Sequence, residues 1–126
     1  MIVRRAAEDD LQPLAVLFDE YRQFYGASSN LELSYNFLKQ RFDNQESVFF
    51  IHIKDDVFTG FVILYLGFSS VACSTYYILD DVYVRPACRR RGSAKQLIDT
   101  AILFARHENA LRITLETQKS NYQSHQ

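Results

Sequence analysis

Residues 79–98 read LDDVYVRPACRRRGSAKQLI, and no other stretch limits the possible folds as much. A β-branched and aromatic run ends at Arg85-Pro86, because proline cannot donate to a strand ladder. Arginines follow at 89, 90 and 91, then Gly92. From residue 92 to 108 the apolar positions Ala94, Leu97, Ile98, Ala101, Ile102 and Ala105 recur in steps of three and four, the mark of one helix face. Beyond it Leu111, Ile113 and Leu115 alternate with polar residues, which reads as a final strand. A strand, a short loop, a helix and another strand make a crossover, and a helical crossover returns its strand parallel to the first.

The loop inside this element has the chemistry of an anion site. The first N–H groups of a helix lack intrahelical partners, and the helix dipole adds partial positive charge there. Gly92 lets a ligand approach the backbone, Ser93 and Ala94 are small, and arginines offer paired donors to phosphate oxygens. Residues 85–95 hold Arg85, Arg89, Arg90, Arg91 and Lys95 and no acid, while the net charge of the whole chain is −1. A single basic loop on a slightly acidic chain suits a small anion better than nucleic acid. The alternative is a helix start with a solvated basic face. The patterns GxxxxGK[ST] and GxGxxG are absent, which argues against a nucleoside-triphosphate loop and a dinucleotide fold.

The rest of the chain supplies the partners of this element. Residues 2–5 form a short strand. Leu11, Leu14, Ala15, Phe18, Tyr21 and Tyr25 line one face of a helix from about Asp9 to Tyr25, with Glu8, Asp9 and Asp10 at its positive end. Gly26 to Asn30 break it, and a second helix is expected from Ser34, as N-cap, to Phe42. Residues 47–53 and 57–66, joined at Lys54-Asp55-Asp56, read as a hairpin, and 75–84 as a third strand. The predicted order β-α-α-β-β-β-α-β is an α+β arrangement with a mixed, mostly antiparallel sheet flanked by helices.

At 126 residues, 48% of them apolar, the chain fits one domain, residues 1–126, that buries roughly two thirds of its unfolded surface. Cys73 and Cys88 have no metal-ligand or Cys-x-x-Cys spacing and are expected as reduced thiols, so the protein is expected in the cytoplasm. The opening MIVRRAAEDD lacks the apolar segment of a signal peptide, and no stretch approaches the length of a membrane span. His52, His107 and His125 have no ligand spacing, and no metal is expected.

Residues 89–94, Arg-Arg-Arg-Gly-Ser-Ala, resemble the acetyl-CoA motif R/Q-x-x-G-x-G/A of the GNAT N-acetyltransferases. The likeness extends through LDDVYVRP upstream, AKQLI and LRITLET downstream, Asn121, and the opening VRRAAEDDLQPLAVLF, so it covers nearly the whole chain. It is nearest to the diamine and amino-acid type enzymes. The resemblance implies that the backbone of Val82, Tyr83 and Val84 bonds the pantetheine arm of acetyl-CoA as an added strand would. It implies that Arg89, Arg90, Arg91, Gly92, Ser93, Ala94 and Lys95 cradle the pyrophosphate, and that Asn121 helps hold the pantetheine.

Such enzymes pass acetyl from acetyl-CoA directly to a primary amine, which must lose a proton to attack. Acids are poor strand residues, yet Asp80 and Asp81 interrupt the third strand. By position Asp80 matches an acid implicated in deprotonation in related diamine acetyltransferases, and Asp81 the acid before the cofactor-contacting residues. Strand alternation predicts that they point to opposite faces and take different roles. A solvated or ion-paired strand acid is the alternative for either. Glu20, Tyr21 and Tyr25 are candidates for the acceptor cleft, with core packing or a solvated face as the other reading.

The family continues past its asparagine with a helix carrying a tyrosine and then two further strands. Here Tyr122 adjoins Asn121 and is not at that spacing. The expectation is a shortened GNAT fold, with self-association into a homodimer along the final strand edge. The acceptor is expected to be a small polyamine or amino-acid-like amine, with neither nucleic acid nor membrane as partner. The alternative function is an acetyl-CoA-binding module without turnover.

Overall fold

The computed structural model describes residues 2–115; Glu116, Asn121 and Tyr122 lie outside them. The strands are β1 (Ile2–Arg5), β2 (Ser47–Lys54), β3 (Val57–Ser69), β4 (Ser74–Val84) and β5 (Ile113–Leu115). The helices are α1 (Leu11–Phe24), α2 (Leu31–Asp43) and α3 (Ser93–His107), with short 3₁₀ turns at Glu8–Asp10 and Pro86–Cys88. One sheet runs β1-β2-β3-β4-β5, antiparallel until β5, which lies parallel to β4. The α+β class, the element order and the helical crossover follow the reading of the sequence.

Both faces of the sheet are covered, so β2 and β3 read as continuous apolar runs rather than alternating ones. On one face α1 and α2 press Leu14, Phe18 and Leu38 against Phe49, Ile51, Phe61 and Ile63. On the other, α3 presses Leu97 and Ala101 against Val62, Leu64, Leu79 and Val82. Gly60 lets β3, β4 and α3 meet. A Cβ there would lie 2.8 Å from the Tyr83 carbonyl oxygen and 3.3 Å from Leu97 Cδ1.

Of the boundaries that differ from expectation, three have a visible reason. Helix α2 begins earlier, at Leu31, because Asn30 caps it by accepting from the Leu33 N–H at 3.0 Å. Ser34 is inside the helix, and its hydroxyl donates to buried Asp19 at 2.8 Å. The acids Glu8, Asp9 and Asp10 occupy the 3₁₀ turn before α1 rather than its first turn. There Asp10 accepts both Arg4 guanidinium nitrogens, at 2.7 and 2.9 Å, and the Ala7 N–H. Finally, β5 begins at Ile113. Leu111 and Leu115 are exposed, and the Leu111 N–H is spent on Thr75 O at 2.9 Å, so the expected apolar face is represented by half-buried Ile113.

Candidate active site

At the end of β4 the chain turns through Arg85 and Pro86 into the basic loop. Arg90 (φ 66°) and Gly92 (φ 78°) both take left-handed backbone conformations, which sharpen the turn into α3. Gly92 is the N-cap residue, and no side chain caps the helix. A Cβ at Gly92 would meet nothing within 4 Å, so the front of the loop is open. The side chains of Arg90 and Arg91 are exposed, and Ser93 is buried behind them.

The other basic residues of the loop are engaged within the protein. Arg85 forms a two-pronged ion pair with Glu20 on α1, at 3.0 Å for each contact. Arg89 donates to the Val84 carbonyl at 2.8 Å and lies over the rings of Phe24 and Tyr83. Its Nη2 is buried with no hydrogen-bond partner among the described residues. Lys95 pairs with Asp99 at 2.7 Å along the helix surface. What the loop leaves open to an anion is therefore its backbone and the exposed side chains of Arg90 and Arg91.

The start of α3 is braced from beneath. His52, fully buried on β2, places Nδ1 2.8 Å from Thr59 Oγ1 and Nε2 3.0 Å from Gln96 Oε1. Thr59 is the extra residue of a β-bulge, where the register passes from Ile53–Phe58 to His52–Gly60. Its carbonyl accepts the Arg85 N–H at 2.9 Å.

A second bulge decides the placement of the two acids. The β3–β4 register passes from Leu64–Leu79 to Ile63–Asp81, so Asp80 is the extra residue. Leu79 and Val82 both pack on the α3 face. The two aspartates between them consequently share the α1–α2 face, against the strict alternation expected of a regular strand. Asp80 is exposed and Asp81 half-buried.

Tyr21, from α1, donates its hydroxyl to Asp81 Oδ1 at 2.7 Å, and Tyr65, from β3, donates to Oδ2 at 3.1 Å. Burial pushes the Asp81 carboxyl above its ordinary value; the two hydroxyls oppose this and the charge of Asp80 adds to it. Burial, and then the Asp81 charge, raise both tyrosines, which keeps them protonated donors. Tyr21 packs against Tyr25, Phe61 and Tyr83 at centroid distances of 5.2, 5.4 and 5.7 Å. An acidic pair thus sits against a tyrosine wall on the strand that leads into the basic loop.

The family model described as acetyltransferase (GNAT) family matches residues 14–126. The chain belongs to the GNAT acetyltransferase family. It is 39% identical over 121 residues to an uncharacterized N-acetyltransferase, YhfO, of Bacillus subtilis (strain 168), covering 96% of this chain and 81% of that protein. A crystal structure of a probable acetyltransferase matches with TM-score 0.88 and 37% identity, over 96% of this chain and 82% of the other. A predicted acetyltransferase from Clostridium acetobutylicum, solved with acetyl-CoA, shares the fold at TM-score 0.79 and 15% identity, over 98% of this chain and 84% of the other.

GNAT acetyltransferases use acetyl-CoA, and the loop fits a diphosphate. It offers the uncapped end of a 15-residue helix, an open front at Gly92 and two exposed arginines. The side chains of Val82 and Val84 are buried toward α3 and that of Tyr83 toward α1. The described β4–β5 pairing runs from Tyr77 to Leu79, below these three residues. Asn121 lies outside the described residues. Among the described residues no group of three or more His, Cys, Asp or Glu is arranged to hold a metal, and no helix is long and apolar enough to cross a membrane.

The sequence did not single out Tyr65, the Glu20–Arg85 pair or the bracing by His52 and Gln96. The available signal was a polar group inside an apolar strand run: Tyr65 in VFTGFVILYL, and His52 in SVFFIHI with Thr59 across the hairpin.

Proposed function

We propose that this GNAT acetyltransferase acetylates a small cationic primary amine of the polyamine or amino-acid kind. The observation that carries this reading is the β4 bulge, which gathers Asp80 and Asp81 on one face against Tyr21 and Tyr65. An acidic, tyrosine-lined cleft favours a cationic acceptor through charge and ring-face attraction.

The backbone N–H groups from Arg90 to Lys95, with the Arg90 and Arg91 side chains, hold the pyrophosphate of acetyl-CoA. The backbone of Val82 to Val84 would hold its pantetheine arm, with Asn121, which lies outside the described residues, as the further candidate. Bound acetyl-CoA would supply the thioester: the amine nitrogen would bond the acyl carbon as the carbon–sulfur bond breaks, and the nitrogen's surplus proton would pass to the departing thiolate. Asp80, the more exposed acid, accepts the ammonium proton, directly or through water. Asp81 adds the negative charge that retains the amine and orients it toward the thioester.

A thiol-release assay over a panel of polyamines and amino acids tests this reading, with Asp80→Asn and Asp81→Asn alongside. The expected loss for Asp80→Asn is about 10²-fold or more in kcat/KM. The loss should be greatest at low pH, where the acceptor most needs a base. Unchanged pH–rate profiles in both variants would remove the acids from the mechanism. Two copies are also proposed to associate along β5, whose neighbour among the described residues is β4 alone and whose Leu115 is exposed. Sedimentation at the monomer mass of 14.7 kDa at high concentration would overturn that association.

A further inference from the structure

The Asp81 carboxylate is held at both oxygens by phenols from two different elements. Tyr21 reaches Oδ1 from α1 and Tyr65 reaches Oδ2 from β3, while Asp81 itself stands on β4. The clamp therefore ties three elements together at one charge. We propose that Tyr21 and Tyr65 are positioning residues for acetyl transfer, fixing the orientation of the Asp81 carboxylate and stabilising its ionised form beside the acceptor. The proposal rests on the reading of Asp81 as part of the acceptor site.

The chemistry of the contacts supports the clamp. A phenol that donates to a carboxylate stabilises the charged form, and hydrogen bonds to ions are among the stronger ones. Burial of Asp81 works the other way, and these two donors oppose it. Neither phenol can reverse its role by losing its proton, since burial and the adjoining carboxylate both hold the proton on. Each carboxylate oxygen has lone pairs beyond the one its tyrosine occupies, so the clamp leaves acceptor capacity for a substrate amine. The titratable groups around Asp81 are Tyr21 from α1, Tyr25 at that helix's C-cap, Tyr65 from β3 and Asp80 on its own strand, while Arg41 of α2 acts on Tyr65. Asp80 penalises ionisation of Asp81, which makes the two hydroxyls the groups that favour it.

The test is a ¹³C NMR titration of the full chain with carboxyl-labelled aspartate, in which the Asp81→Asn spectrum identifies the Asp81 resonance. Tyr21→Phe and Tyr65→Phe each remove one donor and leave the ring. Each should move the Asp81 midpoint to higher pH by about one pH unit, and the double variant by more than either. Tyr25→Phe, a neighbour that makes no hydrogen bond to Asp81 among the described contacts, should move it less. If Tyr21→Phe fails to fold, Tyr65→Phe decides alone, since it serves the other oxygen. Unchanged midpoints in the Phe variants, or an equal shift in Tyr25→Phe, overturn the clamp. The acid limb of kcat/KM against pH separates this result from the functional reading. If the carbon resonance moves and the limb does not, the clamp stands and the part of Asp81 in acetyl transfer falls.

Discussion

The two sides of β4 are built from different materials. Toward the basic loop, the working surface is backbone: a left-handed Gly92, an uncapped helix start and an open front. Toward α1 and α2, it is side chains drawn from separate elements, Asp80 and Asp81 from β4, Tyr21 from α1 and Tyr65 from β3. A diphosphate has the same shape in every enzyme that binds it, so a short local segment can supply its site. An acceptor differs from enzyme to enzyme, and its site is assembled from residues that variation in the surrounding elements can change.

The comparison breaks most readily at Gly92. Gly92→Glu adds a side chain to a residue with φ 78° and places a carboxylate where the pyrophosphate is proposed to bind. The wild-type chain at about 100 times its dissociation constant for acetyl-CoA should gain about 2.7 kcal/mol, read as a rise in thermal midpoint. The variant should lose that rise while keeping its sheet. An unchanged ligand-induced shift would mean that the backbone loop is not the cofactor site.

An effect of similar size sharpens the other side. Asp19 of α1 is buried and accepts Ser29 Oγ, the Asn30 N–H and Ser34 Oγ at 2.6, 2.9 and 2.8 Å. These contacts tie α1, the connecting loop and α2 into one wall on that face of the sheet. Burial alone would raise the carboxyl, but these donors and the Arg22 charge outweigh it and bring it down to about 2. A folded-state value below the unfolded one means the stabilisation is complete above the ordinary carboxylate range. It is lost as pH falls from about 4 toward 2. Asp19→Ala strands the three donors and should cost about 3 kcal/mol in urea unfolding at pH 7. The difference from wild type should shrink as the pH is lowered toward 2. A pH-independent difference would show that the wall is held by packing rather than by this charge.

Legibility followed the same division. The loop could be read because each of its requirements is local. A proline stops the strand, arginines cluster, a glycine turns and a 3.6-residue period begins, all within 79–98. The element order was legible because both sheet faces are covered, which leaves long apolar runs in β2 and β3. The start of α2 was misplaced because Ser34 and Asn30 are both good caps. The choice was made by Asp19, fifteen residues before Ser34 and on another helix. Arg89 likewise carries the motif's first position, yet its guanidinium goes to Val84 O and the rings of Phe24 and Tyr83.

By itself the sequence determined that this chain builds a mixed sheet with a helical crossover, a basic loop after β4 and a pair of acids on the same strand. Those features depend on residues a few positions apart, and chain geometry enforces them wherever the segment folds. Only the tertiary structure decided that Asp80 and Asp81 share a face, because that depends on one extra residue in the β3–β4 pairing. The same holds for Tyr21 and Tyr65. They lie 60 and 16 positions from Asp81, and the sheet register and the packing of α1 bring their hydroxyls to one carboxylate.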